Sequence, residues 1–120
     1  MLLKDFQDSS KVETKFQHDR TSYPLSKKQE LCLYRVLQES LTNVSKYAKA
    51  TRVDVSITAM ESSFRMRIKD DGEGFDMRCG KGARGTGLLG MEERVEKVGG
   101  SFEVRSARGM GTEIIVNIKT

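Results

Sequence analysis

Apolar and polar residues alternate in five short stretches of the chain and recur at helical spacing in two longer ones. The alternating sets are Val12-Thr14-Phe16, Val53-Val55-Ile57, Phe64-Met66-Ile68, Phe102-Val104 and Ile114-Val116-Ile118, each predicting a strand with one buried face. Tyr34, Leu37, Leu41, Val44 and Ala48 form one stripe at spacings of three and four, predicting a helix over 27–48. Leu88, Met91, Val95 and Val98 form a second stripe and a second helix. The resulting order is strand, helix, strand, strand, loop, helix, strand, strand. It predicts a two-layer α/β sandwich with a mixed sheet and the helices on one face.

Local signals set the boundaries. Tyr23-Pro24 ends the first strand segment, because proline cannot continue a ladder. Ser26 is a good helix cap, and Gln29 three residues on completes a capping box. The short turn 59–62 joins two neighbouring strands into a hairpin. Gly99-Gly100 stops the second helix, and Ala107 to Gly111 turns the chain into its final strand. Residues 1–10 are either a frayed end or the tail of an element that begins upstream. On the first helix, Glu39, Asn43 and Lys46 form a polar stripe roughly opposite the apolar one. That stripe is either a solvated face or a contact surface. Asn43 is a poor helix former in mid-helix, which a required contact would explain.

Composition narrows the class. A length of 120 residues suits one domain with a core of its own, spanning 1–120. Charged residues make up 32% and apolar ones 37%, as in a soluble globular domain. The net charge of +4 is mild and scattered, so nucleic acid is not an indicated partner. No apolar stretch is long enough to span a bilayer, and no signal peptide is visible, so no membrane contact is expected. Cys32 and Cys79 match no metal or redox motif and read as free thiols in a reducing compartment, with Cys32 packed on the helix. His18, the only histidine, continues the first strand's alternation as a surface residue.

The candidate chemistry lies between Asp70 and Met91. Seven of the 11 glycines fall there, and none comes earlier in the chain. Glycine is costly inside regular elements, so such a cluster has a cause. It is either a loop with two tight turns or backbone that must approach a ligand closely. Asp70 stands where a strand ends, and Gly85-Thr86-Gly87 opens a helix, whose free N–H groups and positive dipole end suit a phosphate. The stretch has no Gly-Lys-Ser/Thr ending and no βαβ dinucleotide fingerprint.

Four separated groups together resemble the GHKL ATPases, the superfamily of gyrase, heat-shock chaperone, mismatch-repair and histidine-kinase ATPase domains. Gln38-Glu39-Ser40-Leu41-Thr42-Asn43 resembles its N box, and Asp70-Asp71-Gly72-Glu73-Gly74-Phe75 its G1 box. Gly85 to Val95 is similar to the G2 box, and Gly109-Met110-Gly111-Thr112 to the closing Gly-Thr motif. The wording is most similar to catalytic domains of sensor histidine kinases paired with helix-turn-helix response regulators of the NarL/LuxR type. The resemblance covers roughly residues 31–118 and implies the Bergerat-type ATP-binding fold, with a mostly antiparallel sheet.

The resemblance also implies roles. Asp70 would accept a hydrogen bond from the adenine amine, and since a carboxylate cannot donate, it selects adenine over guanine. Gly72 and Gly74 would let the base lie against the backbone. Asn43 would hold Mg2+ through its amide oxygen, a hard ligand for a hard ion. Glu39 would position or deprotonate the attacking group, and Lys46 would face the phosphates. Gly85, Thr86, Gly87 and Leu88 would offer backbone N–H groups to the phosphates, and Thr112 would support Asp70 from the neighbouring strand. Residues 76–84 would form the lid over ATP, with Lys81 and Arg84 in it unassigned. Tyr47 departs from the family, which usually carries histidine there.

The function implied is the ATP-binding half of a two-component kinase, a domain expected in the cytoplasm whether its parent is membrane-anchored or not. It donates the γ-phosphoryl to a histidine on a separate helical dimerisation domain and, through it, serves a response regulator. By itself the chain would be a monomer that binds ATP without labelling itself. Two rivals share the motifs: a GHKL serine kinase of the anti-sigma-factor type, and a nucleotide-binding interaction module without chemistry.

Overall fold

A computed structural model describes residues 12–19, 25–45, 49–74 and 87–119. Outside them lie Lys46, Tyr47, Gly85, Thr86, the expected lid 76–84, the Tyr23-Pro24 stop, and residues 1–10.

Among the described residues, five strands and two helices follow in the expected order: β1 (Glu13–His18), α1 (Lys27–Asn43), β2 (Arg52–Met60), β3 (Ser63–Asp70), α2 (Leu88–Lys97), β4 (Gly100–Ser106) and β5 (Thr112–Lys119). They form one sheet in the order β1-β2-β3-β5-β4. β1 pairs parallel with β2, and every other pairing is antiparallel. The strand alternation now has a physical meaning. Val53 and Val55, Phe64, Met66 and Ile68, and Ile114, Val116 and Ile118 point to one face and are buried. There they join Leu33, Val36 and Leu41 of α1 with Leu88, Met91 and Val95 of α2 in a single core. The other face is polar, apart from Ile115, which is buried outside that core, and the exposed Met60 at the end of β2.

α1 starts as its sequence requires. The Ser26 hydroxyl accepts from the Gln29 N–H at 3.1 Å, and the Gln29 side chain accepts from the Ser26 N–H at 2.9 Å. The helix is α-helical to Asn43 and goes on as π-helix at Val44 and Ser45, while residues 46–48 of the expected span lie outside the described residues. One expectation for this helix needs correction. Leu41 and Val44 are buried and Leu37 packs against the core, as the stripe expects, but Tyr34 is 49% exposed, and Cys32, Leu33, Val36 and Ser40 complete the buried side. The Ser40 hydroxyl faces α2, 3.6 Å from the Met91 sulfur.

Candidate functional site

Asp70 is the last residue of β3 and one of two buried polar residues among those described. Its register partner on β5 is Thr112. The Asp70 Oδ1 accepts the Gly72 N–H at 2.8 Å, and the Thr112 backbone N–H also donates to the carboxylate. Burial pushes the Asp70 carboxyl up from its ordinary value, and these two N–H groups pull part of the way back. The Thr112 hydroxyl does not reach this carboxylate by any recorded bond; it lies 3.0 Å from the Ser106 hydroxyl, which also contacts the Gly111 carbonyl at 3.0 Å.

The loop after Asp70 is docked on the β4–β5 turn. The Gly109 N–H donates to the Glu73 carbonyl at 2.6 Å. Gly74 has φ +64°, and a Cβ there would stand 2.2 Å from the Ala107 carbonyl oxygen. Only glycine fits that position, and the neighbour that demands it is protein backbone. Asp70, Gly72, Gly74 and Thr112 thus gather at one end of the central strands, a rigid platform with a buried acceptor.

Asp71 has a different task, which the sequence reading missed. Its Oδ1 accepts the N–H groups of Thr51 and Arg52 at 2.8 and 2.9 Å, and its Oδ2 accepts the Thr51 hydroxyl at 2.6 Å. These donors hold the Asp71 carboxyl below its ordinary value. Asp71 therefore anchors the start of β2 beside the end of β3.

A second cluster joins the two helices. Gly87 is the residue before α2, in left-handed conformation with φ 72°, and among the described residues no side chain caps the helix there. N–H groups in the first turn of a helix suit an anion. Glu39 reaches this point from α1: a Cβ on residue 87 would stand 2.8 Å from the Glu39 Oε1. Leu88 is buried in the core and fixes the helix start, while Asn43, one turn beyond Glu39, is half-buried. Ser40, between Glu39 and Leu41, was read only as part of a motif; its contact with Met91 is what locks the two helices together.

Residues 28–120 match the family of histidine kinase-, DNA gyrase B- and HSP90-like ATPases. The chain belongs to that family. It is an ATP-binding domain of the sensor histidine kinase type. It is 35% identical over 116 residues to the signal transduction histidine-protein kinase/phosphatase DegS of Brevibacillus brevis, covering 97% of this chain and 30% of DegS. It is 36% identical over 117 residues to the sensor histidine kinase LiaS of Bacillus subtilis, covering 98% of this chain and 32% of LiaS. The chain thus spans about a third of the length of these curated relatives. Two solved structures share the fold: the Erythrobacter litoralis EL346 blue-light activated histidine kinase (TM-score 0.79, 19% identity, 98% of this chain and 39% of that one), and the Acinetobacter baumannii histidine kinase AdeS (TM-score 0.77, 18% identity, 98% and 58%). In this domain the Asp70 platform lies on the sheet and the Glu39–Gly87 contact lies between the helices.

Proposed function

We propose that this domain lies in the cytoplasm, binds magnesium-ATP and donates the γ-phosphoryl to a histidine on a separate helical dimerisation domain of a longer kinase. That kinase would serve a response regulator of the helix-turn-helix class. The observation that carries the reading is the Glu39 carboxylate set against Gly87 at the start of α2. An acid beside an anion-binding helix end suits phosphoryl transfer, where catalysis is mostly positioning and charge neutralisation.

Asp70 would accept from the adenine amine, with Gly72 and Gly74 shaping the floor beneath the base. Gly85, Thr86, Gly87 and Leu88 would present N–H groups to the phosphates, and Lys46 would lie nearby. Glu39 would orient the attacking imidazole and take its proton. The Asn43 amide oxygen, a hard donor, would be the protein's contribution to Mg2+, which keeps several waters and takes most of its ligands from phosphates. The ion would neutralise charge on the transferred phosphoryl.

Calorimetric ATP titrations with and without magnesium test the assignment. Asn43→Ala should weaken only the magnesium-dependent affinity. Glu39→Gln should keep ATP affinity and lose transfer to the helical domain supplied in trans. Full transfer by Glu39→Gln would sink the reading.

A further inference from the structure

The polar face of the sheet, turned away from the helices, is not flat. On β1–β3 it holds a cleft of about 290 Å³, lined among others by Lys15, Gln17, Asp54, Ser56, Arg67 and Lys69. Strand register places Lys15, Asp54 and Lys69 in one row across three strands, and Gln17, Ser56 and Arg67 in the next. The charges in this cleft do not cancel. The Asp54 Oδ1 is taken by both Nε and Nη2 of Arg52, each at 3.1 Å. Arg67 is paired with Glu113 of β5, outside the cleft. Among the described residues neither Lys15 nor Lys69 forms an ion pair, so two ammonium groups flank a carboxylate that is already occupied.

We propose that this cleft docks an extended acidic segment of a partner protein. Three features choose that occupant. First, Lys15 and Lys69 lie two strand spacings apart, about 10 Å at the backbone. Carboxylates on one face of an extended chain recur about every 7 Å, and the four-carbon lysine stems absorb the difference. One small inorganic anion would have to draw both ammonium groups together over Asp54. Second, Gln17 and Ser56 add neutral donors between the charges, suited to carboxylate and peptide oxygens. Third, none of the six residues is aromatic, so bases have nothing to stack on, and none offers an apolar side chain to a membrane interior. The cleft is built on β1–β3 and needs nothing from the nucleotide cluster, so it stands apart from the phosphoryl-transfer reading.

The test uses the whole chain and a fluorescent peptide alternating glutamate with serine, followed by anisotropy at low and high salt. Wild-type protein should bind, and binding should weaken as salt rises. Lys15→Glu/Lys69→Glu should lower affinity by about tenfold or more at low salt, because each attraction becomes a repulsion. Lys28→Glu/Lys97→Glu, with the same change in net charge on the helices, should bind as wild type. Lys15→Gln/Lys69→Gln gives the same reading without repulsion if the reversed variant fails to fold. Absence of wild-type binding, or equal affinity in the reversed and helix-side variants, overturns the proposal. So does tighter binding through the same lysines to single-stranded DNA or to phosphatidylglycerol vesicles.

Discussion

The Glu39 carboxylate fills the space that a side chain on residue 87 would need: its Oε1 lies 2.8 Å from the ideal Cβ position of Gly87. The acid of one helix thus lies against the start of the other, and a side chain at residue 87 would push it aside. Gly87→Ala should cost about 1–2 kcal/mol from the left-handed backbone alone, and should displace Glu39. Thermal melting should show that loss, and ATP turnover should fall further than ATP affinity. Adding Glu39→Ala should recover part of the stability, since space is restored, and none of the turnover.

Asp70 and Asp71 are neighbours with opposite responses to acid. Asp70, raised by burial, binds its proton more readily folded than unfolded, so its charge costs stability above its folded value. That cost disappears as pH falls toward the unfolded carboxyl value of about 3.9. Asp70→Asn should therefore melt at the same temperature as wild type or higher at neutral pH, with the gain fading in acid. The same variant should lose most ATP binding, because asparagine can turn a donor toward the adenine amine. Calorimetry showing unchanged affinity would remove Asp70 from the site.

Asp71, lowered by its donors, contributes stability above the unfolded value, and that contribution is lost as pH falls through the folded one. Asp71→Ala should destabilise the domain by about 1 kcal/mol, a modest figure because the group is exposed and screened. Hydrogen exchange should show the change at Thr51 and Arg52 first.

His18 is exposed at the end of β1 and pairs in register with Ile57, whereas Asp70 pairs with Val53 at the other end of β2. The chain should be a monomer that takes no acid-labile phosphate from labelled ATP. Label that vanishes in His18→Ala would overturn this placement.

Element order was legible because alternation and helical spacing report burial directly. Gly99, with φ +79°, and the Ser26–Gln29 box show how local chemistry sets boundaries without tertiary help. Tyr34 alone departs from the described part of its stripe, and Ser40, polar in any pattern, is buried against Met91, far away in sequence. Register is a tertiary quantity for the same reason. No local signal told that β1 runs parallel to β2, or that Asp71 reaches back to Thr51. Motif spacing located Asp70 and Glu39; only packing revealed that Gly74 answers to Ala107.

The parallel strand has a consequence for how the chain assembles. β2–β3 and β4–β5 are hairpins closed by short turns, so their ladders need little loop closure. β1 meets β2 only after the whole of α1 has been traversed, and it sits at the margin of the sheet with one neighbour. Non-local pairing of this kind forms late and opens early. The strand at the sheet's margin should therefore exchange its amide hydrogens well before β3 and β5 do. Asp70 and Thr112, carried on those two central strands, then remain in register while the margin frays.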